Sequence, residues 1–344
     1  MARYIIRRLL QGVTLLFFIS IILFVLLQNM GDPLATMGGR QPTRAADRER
    51  LARQLGLDQP VYWQYTYWLI GNDWQMVDVD GDGIAETQGN RRGVLRADFG
   101  TSLVSRGRPV TEIIGERIGN TLLLMLPAEF ITIIIAILIG AYSALNQYSK
   151  TDNFVTAFSF VGLSMPIFFV ALSSVYIFAV LFKRWGWPYL PPNGMFDPQI
   201  GKTAGQIALH MVLPVFTLVF IGLAGYSRYT RSTMLEVINQ DYIRTARAKG
   251  LTRRYILYVH ALKNAALPVV TLIGLNLPFA LAGAVVTESI FAWPGMGRLF
   301  IDHLNRTDTP VVMGILLLVA TAVIIFQILT DIVYALLDPR IRYD

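Results

Sequence analysis

Residues 236–268, EVINQDYIRTARAKGLTRRYILYVHALKNAALP, form a basic segment set between two long apolar runs. Residues 241–249 have helical spacing with no proline, and Gly250 stands where a helix would stop. Thr245 and Ala246 are small enough to let another protein's surface approach closely. The segment reads as a docking helix, a lever and not a catalyst.

Outward from this stretch the chain is too apolar for an ordinary soluble domain. It has 344 residues, of which 54% are hydrophobic and 15% charged, with a mean hydropathy of +0.48. A bilayer crossing takes about 20 mostly apolar helical residues. Six segments qualify, at about 9–30, 118–143, 154–182, 207–227, 266–288 and 311–337, so the expected fold is an all-α polytopic membrane protein. Between the fourth and fifth, residues 227–264 carry eight basic groups (Arg228, Arg231, Arg244, Arg247, Lys249, Arg253, Arg254, Lys263) against Glu236 and Asp241. Short loops rich in Lys and Arg stay inside the cell. Counting six crossings then puts the N-terminal Arg3, Arg7 and Arg8, the loop with Lys150, and the tail with Arg340 and Arg342 on the same side. Both termini are expected in the cytoplasm, and the opening run reads as a retained signal anchor because it is long enough to span.

The organisation expected is an N-terminal transmembrane helix (1–30), an extracytoplasmic insertion (31–116), and a five-helix core (117–344) carrying the cytoplasmic loop 228–264. In the insertion ten arginines face twelve acidic residues, a balance compatible with export because long loops translocate largely regardless of charge. Residues 51–56 and 61–70 have helical spacing. Tyr62, Trp63, Tyr65, Tyr67 and Trp68 form an aromatic cluster that reads as local core or a membrane-interface belt. Pro127, Pro166, Pro214, Pro268 and Pro278 should kink spans. Small residues at Gly222, Ala224 and Gly225, and at Ala280, Ala282, Gly283 and Ala284, permit close helix packing.

Catalytic chemistry finds little support. Without cysteine there is no disulfide, thiolate nucleophile or Cys-ligated metal. His210, His260 and His303 sit near segment ends on both sides and assemble no metal cluster or triad. The net charge of +7 is concentrated at the inner loops, which fits a bilayer and not a nucleic acid. Gly201-Lys202-Thr203 mimics the end of a phosphate-binding loop, but the required earlier glycine is Phe196. If ATP is used, another chain binds it. Glu129, Glu288 and Asp331 are the acidic residues nearest the spans and read as structural or gating groups. Ser164 and Asn276 are polar positions in apolar spans that line a pathway or bond between helices. In the outer segment Asp78, Asp80, Asp82 and Gly83 reproduce the first half of an EF-hand-type calcium loop, with Glu86 at the ninth position and Gly89 where a bidentate glutamate belongs. Calcium held by Asp78, Asp80, Asp82 and Glu86 is one expectation; a plain Asp/Gly turn is the other.

A series of ordered segments points to a family: RYIIRRLLQGVTLLFFIS, RQLGLDQPVYWQY, DFGTSL, ERIGNTLLLMLPA, SMPIFF, LPPNG, DYIRTARAKGLTRRYILYVHALKNAALPVVT, ESIFAWPGMGRLF and TPVVMG. In this order and spacing they resemble the B-type membrane-spanning permease of bacterial ABC importers for dipeptides, oligopeptides and nickel, over nearly the whole chain. The resemblance implies a type I importer permease fold and transport without a cofactor bound by this chain. It also implies partners: a second homologous permease, two ATPase subunits, and an extracytoplasmic binding protein that delivers the cargo. Arg244, Thr245 and Ala246 occupy the Glu-Ala-Ala positions of the family's ATPase-contacting loop, and Gly250 its glycine. By the resemblance residues 241–250, with Asp241, Tyr242, Arg247 and Lys249, form the coupling helix. The pathway would include Ser164, Asn276 and Glu288. The stretch from about 72 to 95 departs from the family pattern as an insertion. Peptide is the expected cargo, in a bacterial or archaeal cytoplasmic membrane. The alternatives are a nickel chelate, haem or sugar in the same role, or a secondary transporter, which would ordinarily need ionisable groups at mid-span.

Overall fold

The computed structural model describes residues 2–29, 45–54, 56–80, 82–105 and 107–337. Residues 30–44 and the tail with Arg340 and Arg342 lie outside them. In chain order the helices are α1 (Ala2–Gln28), α2 (Ala45–Gln54), α3 (Val61–Ile70), α4 (Val110–Leu145), α5 (Lys150–Ser164), α6 (Ile167–Val175), α7 (Phe182–Arg184), α8 (Ala204–Ile238), α9 (Asp241–Ala248), α10 (Arg253–Tyr255), α11 (Lys263–Ala282), α12 (Val285–Ile290), α13 (Met296–Leu304) and α14 (Thr309–Leu337). Wider π-helical turns join α6 to α7 (Tyr176–Leu181) and α10 to α11 (Ile256–Leu262). Strands β1 (Met76–Val77) and β2 (Thr87–Gln88) pair antiparallel, Met76 opposite Gln88. Six helical stretches among the described residues are long and apolar enough to cross a membrane, the number expected.

Their limits differ from the sequence reading in ways that have physical causes. The third segment is two helices, because Pro166 forces Met165 into an extended conformation (φ −84°, ψ 125°) and opens a new helix at Ile167. By contrast α4 and α8 continue unbroken past Pro127 and Pro214. The fourth segment does not end at Ser227 but runs on to Ile238 through Arg228 and Arg231. The loop set at 228–264 is therefore mostly helical, with the non-helical chain confined to short links on either side of α9. The fifth helix stops at Gly283, whose φ of +82° no other residue type adopts cheaply.

The described residues fall into two compact units. In the unit made of residues 120–298 and 323–337, α8 packs against α5, α6 and α11. Close approach is made by small residues: a Cβ on Gly162 would lie 2.6 Å from Ala224, and one on Gly222 would lie 2.7 Å from Thr132. In the unit made of residues 2–119 and 299–322, α3 docks on α1. The Ser20 and Tyr65 hydroxyls share a hydrogen bond of 2.8 Å, Gln28 Nε2 donates to Gln64 Oε1 at 2.7 Å, and Phe24 packs edge to face on Tyr65 and tilted against Trp68. Within the same unit Asp308 is a buried hub, accepting from Ser102 Oγ (2.5 Å), Leu103 N (3.1 Å) and His303 Nδ1 (2.8 Å). Burial pushes its carboxyl up, but these donors outweigh that and hold it below the usual carboxylate range. Serine, histidine and aspartate meet here, yet the serine hydroxyl donates to the carboxylate and not to the imidazole, so the arrangement is a brace and not a nucleophilic triad.

Candidate functional site

Helix α9 lies where the sequence places it, but only one of its faces is offered to solvent. At eight residues it is too short to hold itself in water, and it is fixed by what its inner face touches. Ile243, 1% exposed, and Ala246 enter a cluster with Ala144 at the end of α4, Met234 near the end of α8, Ile256 and Ala261 in the π-helical turn, and Ala265 in α11. Burying an isoleucine side chain is worth about 1.5–3 kcal/mol. Ala246, expected to make room for another surface, instead anchors the helix on its own chain.

Both ends of α9 are specified. Asp241 stands in the first turn and Arg247 in the last, each favoured by the helix dipole. At the C-terminus Gly250 N donates to Arg247 O (3.0 Å) and Leu251 N to Ala246 O (3.4 Å), the paired bonds of a Schellman stop, with Gly250 at φ +76°. The outer face presents Asp241, Tyr242, Arg244, Thr245, Arg247 and Lys249. Arg244 reaches Asp241 at 3.4 Å, but both side chains are open to solvent, so the pair contributes little. Tyr242 is steadied by Asn264 Nδ2, which donates to its hydroxyl at 3.1 Å. The result is a rigidly seated helix with a basic exposed face.

The elements that seat α9 are themselves clipped together. Asp152, in the first turn of α5, receives Arg231 Nε (2.6 Å) and Nη2 (2.9 Å) from α8, the backbone N–H of Tyr148 (2.9 Å), and the hydroxyl of Ser143 on α4. The Arg231 guanidinium holds this buried carboxyl well below the usual range. From sequence Arg231 counted only as one cation of a loop. Its partner lies 79 positions away, and no local pattern reveals it.

The pathway candidates separate. Asn276 Nδ2 donates to the Tyr226 hydroxyl (2.7 Å), which donates to Glu129 Oε1 (2.7 Å). All three line a cavity of about 350 Å3 with Gly222, Gly225 and Leu218. Asn276 and Glu129 stand out singly in the sequence as polar positions in apolar runs, whereas Tyr226, which joins them, does not. Ser164 ends α5 and donates to Phe160 O (2.8 Å), a bond inside its own helix. Glu288 does not line that cavity. Its side chain is 0% exposed, Oε1 accepts from Thr121 Oγ1 (2.9 Å), and Oε2 accepts from Arg298 N (3.0 Å). A Cβ on Gly295 would come within 2.5 Å of the Glu288 carboxyl. Trp293 Nε1 donates to Asn120 O and Asn120 Nδ2 to Pro294 O, both at 2.9 Å, closing the turn around it. Glu288 thus holds this turn together, the structural one of the two roles expected of it.

Between α3 and α4 the carboxylates of Asp78, Asp80 and Asp82 lie within 4.8 Å of one another on the loop between β1 and β2, and Glu86 is not part of the group. Asp78 accepts from Gly83 N (2.9 Å) and Asp82 from Ile84 N (2.8 Å). The flanking elements are two-residue strands, where an EF-hand has helices.

Comparison with known proteins adds an independent finding. The family model described as the binding-protein-dependent transport system inner membrane component matches residues 136–343, and its N-terminal companion matches residues 1–125. The oligopeptide transport system permease protein AppB of Bacillus subtilis is 40% identical over 344 residues, covering 100% of both chains. The dipeptide transport system permease protein DppB of Escherichia coli is 36% identical over 365 aligned positions, covering 100% of this chain and 99% of its own. The oligopeptide transport system permease protein OppB of Mycobacterium bovis is 34% identical, with 99% of each chain covered.

Proposed function

The chain belongs to the family of binding-protein-dependent transport system inner membrane components, and from that premise we propose that it forms, with a second homologous permease, the pathway of an ATP-driven importer for dipeptides or oligopeptides. The peptide cargo is taken from the names of the full-length relatives. Two ATPase subunits would supply the energy on the cytoplasmic side, and an extracytoplasmic binding protein would deliver the cargo. The basic groups of residues 227–264 and of the N-terminus support a reading in which both termini and α9 face the cytoplasm of a bacterial or archaeal cell.

The observation that carries the reading is α9 itself, with its inner face in a cluster drawn from α4, α8 and α11 and its outer face basic and open. ATP binding can bias a pathway only through an element whose position differs between two states. A helix welded to three other helices transmits a displacement applied to its outer face, where a flexible loop would absorb it. A secondary transporter has no use for such a face.

The chain contains no cysteine, so a Thr245→Cys variant carries a single thiol on the outer face of α9. With an affinity tag and a short thiol-reactive crosslinker in native membranes, it is expected to capture an ATPase subunit. Recovery of the permease with no ATPase attached, while the second permease still copurifies, would count against α9 as the coupling element.

A further inference from the structure

We infer that the unit made of residues 2–119 and 299–322 holds a carboxylate-binding site built on Arg91 and the indole N–H of Trp68, at a cavity walled by Leu27, Leu57, Leu103, Pro310 and Met313. The cavity measures about 60 Å3, several times the space of about 10–15 Å3 that one water needs. Trp68 is 8% exposed, and its Nε1 is buried with no hydrogen-bond partner among the described residues. Leaving a buried donor unpaired is costly, so an orphan donor on a side chain that lines the cavity points to an acceptor that enters from elsewhere. Arg91 lines the same cavity and the smaller one beside it. Among the described residues its guanidinium has no hydrogen-bonded or ion-paired acceptor. Burial pushes its pKa down and the charge of Asp98 raises it, while the hydrogen bonds Asp98 accepts come from Arg92 N and Gly100 N, both at 2.9 Å.

The donor set selects the ligand. An arginine fork with one further N–H matches a carboxylate, which accepts two or three hydrogen bonds. The apolar walls disfavour a dianion such as phosphate, whose desolvation two donors cannot repay. They suit instead the methyl or methylene that follows a carboxyl group. Of the neighbouring polar groups, Gln64 uses its amide N–H groups on Leu57 O (3.1 Å) and Gln59 O (2.7 Å), so it does not compete for the acceptor. The site itself stands on this geometry. Only the source of the carboxylate rests on the transport reading, which offers two: the C-terminus of a peptide cargo, or an acidic side chain of the delivering protein.

The test uses the full chain in nanodiscs with 15N-labelled tryptophan indoles, the Trp68 resonance being assigned by Trp68→Phe. Sodium acetate is titrated against sodium chloride at equal ionic strength. The expected result is a saturable displacement of the Trp68 signal by acetate only, weakened by about tenfold or more in Arg91→Gln, the scale of one charge-assisted hydrogen bond. The other five tryptophan signals report whether that variant is folded. Should it not fold, propionate against propionamide on the unaltered chain makes the same distinction, because only the carboxylate is expected to act. No acetate-specific displacement, an undiminished response in folded Arg91→Gln, or equal action of propionamide would overturn the site. Competition by alanylalanine but not its C-terminal amide would support the site and identify cargo as the source. Acetate binding without such competition would support it with the delivering protein as the source. None of these readouts depends on uptake or on the ATPase.

Discussion

Helix α9 and the turn beside Glu288 are both short segments that follow a long apolar helix, and they use their charged groups in opposite ways. In α9 two apolar side chains face in and the charges of Arg244, Arg247 and Lys249 face out. In the turn the carboxylate faces in, every oxygen bond is made internally, and glycines stand where a side chain would collide with it. A polar segment between spans can thus be a tool for another molecule or a brace for its own chain. What separates the two is the direction in which its charges are satisfied.

The contrast predicts where substitutions hurt folding and where they leave it alone. The largest effect is expected at the turn. Glu288→Ala strands the Thr121 hydroxyl and the Arg298 N–H in a buried site, at about 3 kcal/mol or more. Gly295→Ala pushes a methyl group into the carboxylate and should also sharply lower the yield of folded protein, measured by size-exclusion recovery in detergent. If either variant were as stable as the parent, the brace would not exist.

Next comes the clip behind α9. Asp152→Asn leaves Arg231 half-paired, for a loss of about 3 kcal/mol, read as a lowered midpoint of thermal unfolding. Because the folded carboxyl is held below its ordinary value, its contribution is fully present above the unfolded value of about 3.9 and is lost only as the pH falls through the lower, folded one. The gap between parent and variant should therefore be flat from neutral pH downward and shrink only in acid below about pH 4. A gap that closed near neutrality would contradict the geometry of the pair.

A smaller effect is expected at Gly250. An added Cβ meets nothing within 4 Å, so only the left-handed φ of +76° opposes Gly250→Ala, at about 1 kcal/mol confined to the end of α9. Hydrogen exchange should quicken in the last turn of α9 and nowhere else. The smallest concerns Asp78, Asp80 and Asp82. If three converging carboxylates suffice, millimolar calcium should slow proteolysis between β1 and β2 in the purified full chain, and Asp80→Asn should abolish the protection. Equal cleavage with and without calcium would leave a plain turn.

The parts of this molecule legible in its sequence are those governed by local rules. Runs of apolar residues gave six spans, the helical spacing of residues 241–249 with Gly250 gave α9 and its stop, and that of residues 61–70 gave α3, whose Tyr67 and Trp68 are local core. Where the reading went astray, a distant partner decided the matter. Helix α8 outlasts its apolar run because Arg231 finds Asp152 across the fold, and Ala246 turns inward because three other helices come to meet it. Glu288 is conspicuous in the sequence as a carboxylate near a span, while the hydroxyl that satisfies it belongs to Thr121, 167 positions earlier. Of five prolines inside the spans only Pro166 breaks a helix, and nothing in its flanking residues announces the difference from Pro127.

The central claim is that the outer face of α9 serves a partner and not the fold. The direct measurement is ATP-driven peptide uptake by the reconstituted importer carrying Arg244→Glu with Arg247→Glu. Both side chains are exposed, so unfolding should change by no more than about 0.5 kcal/mol. The account predicts a permease that inserts and is as stable as the parent, with uptake lost. Unchanged uptake by a normally assembled complex would contradict it.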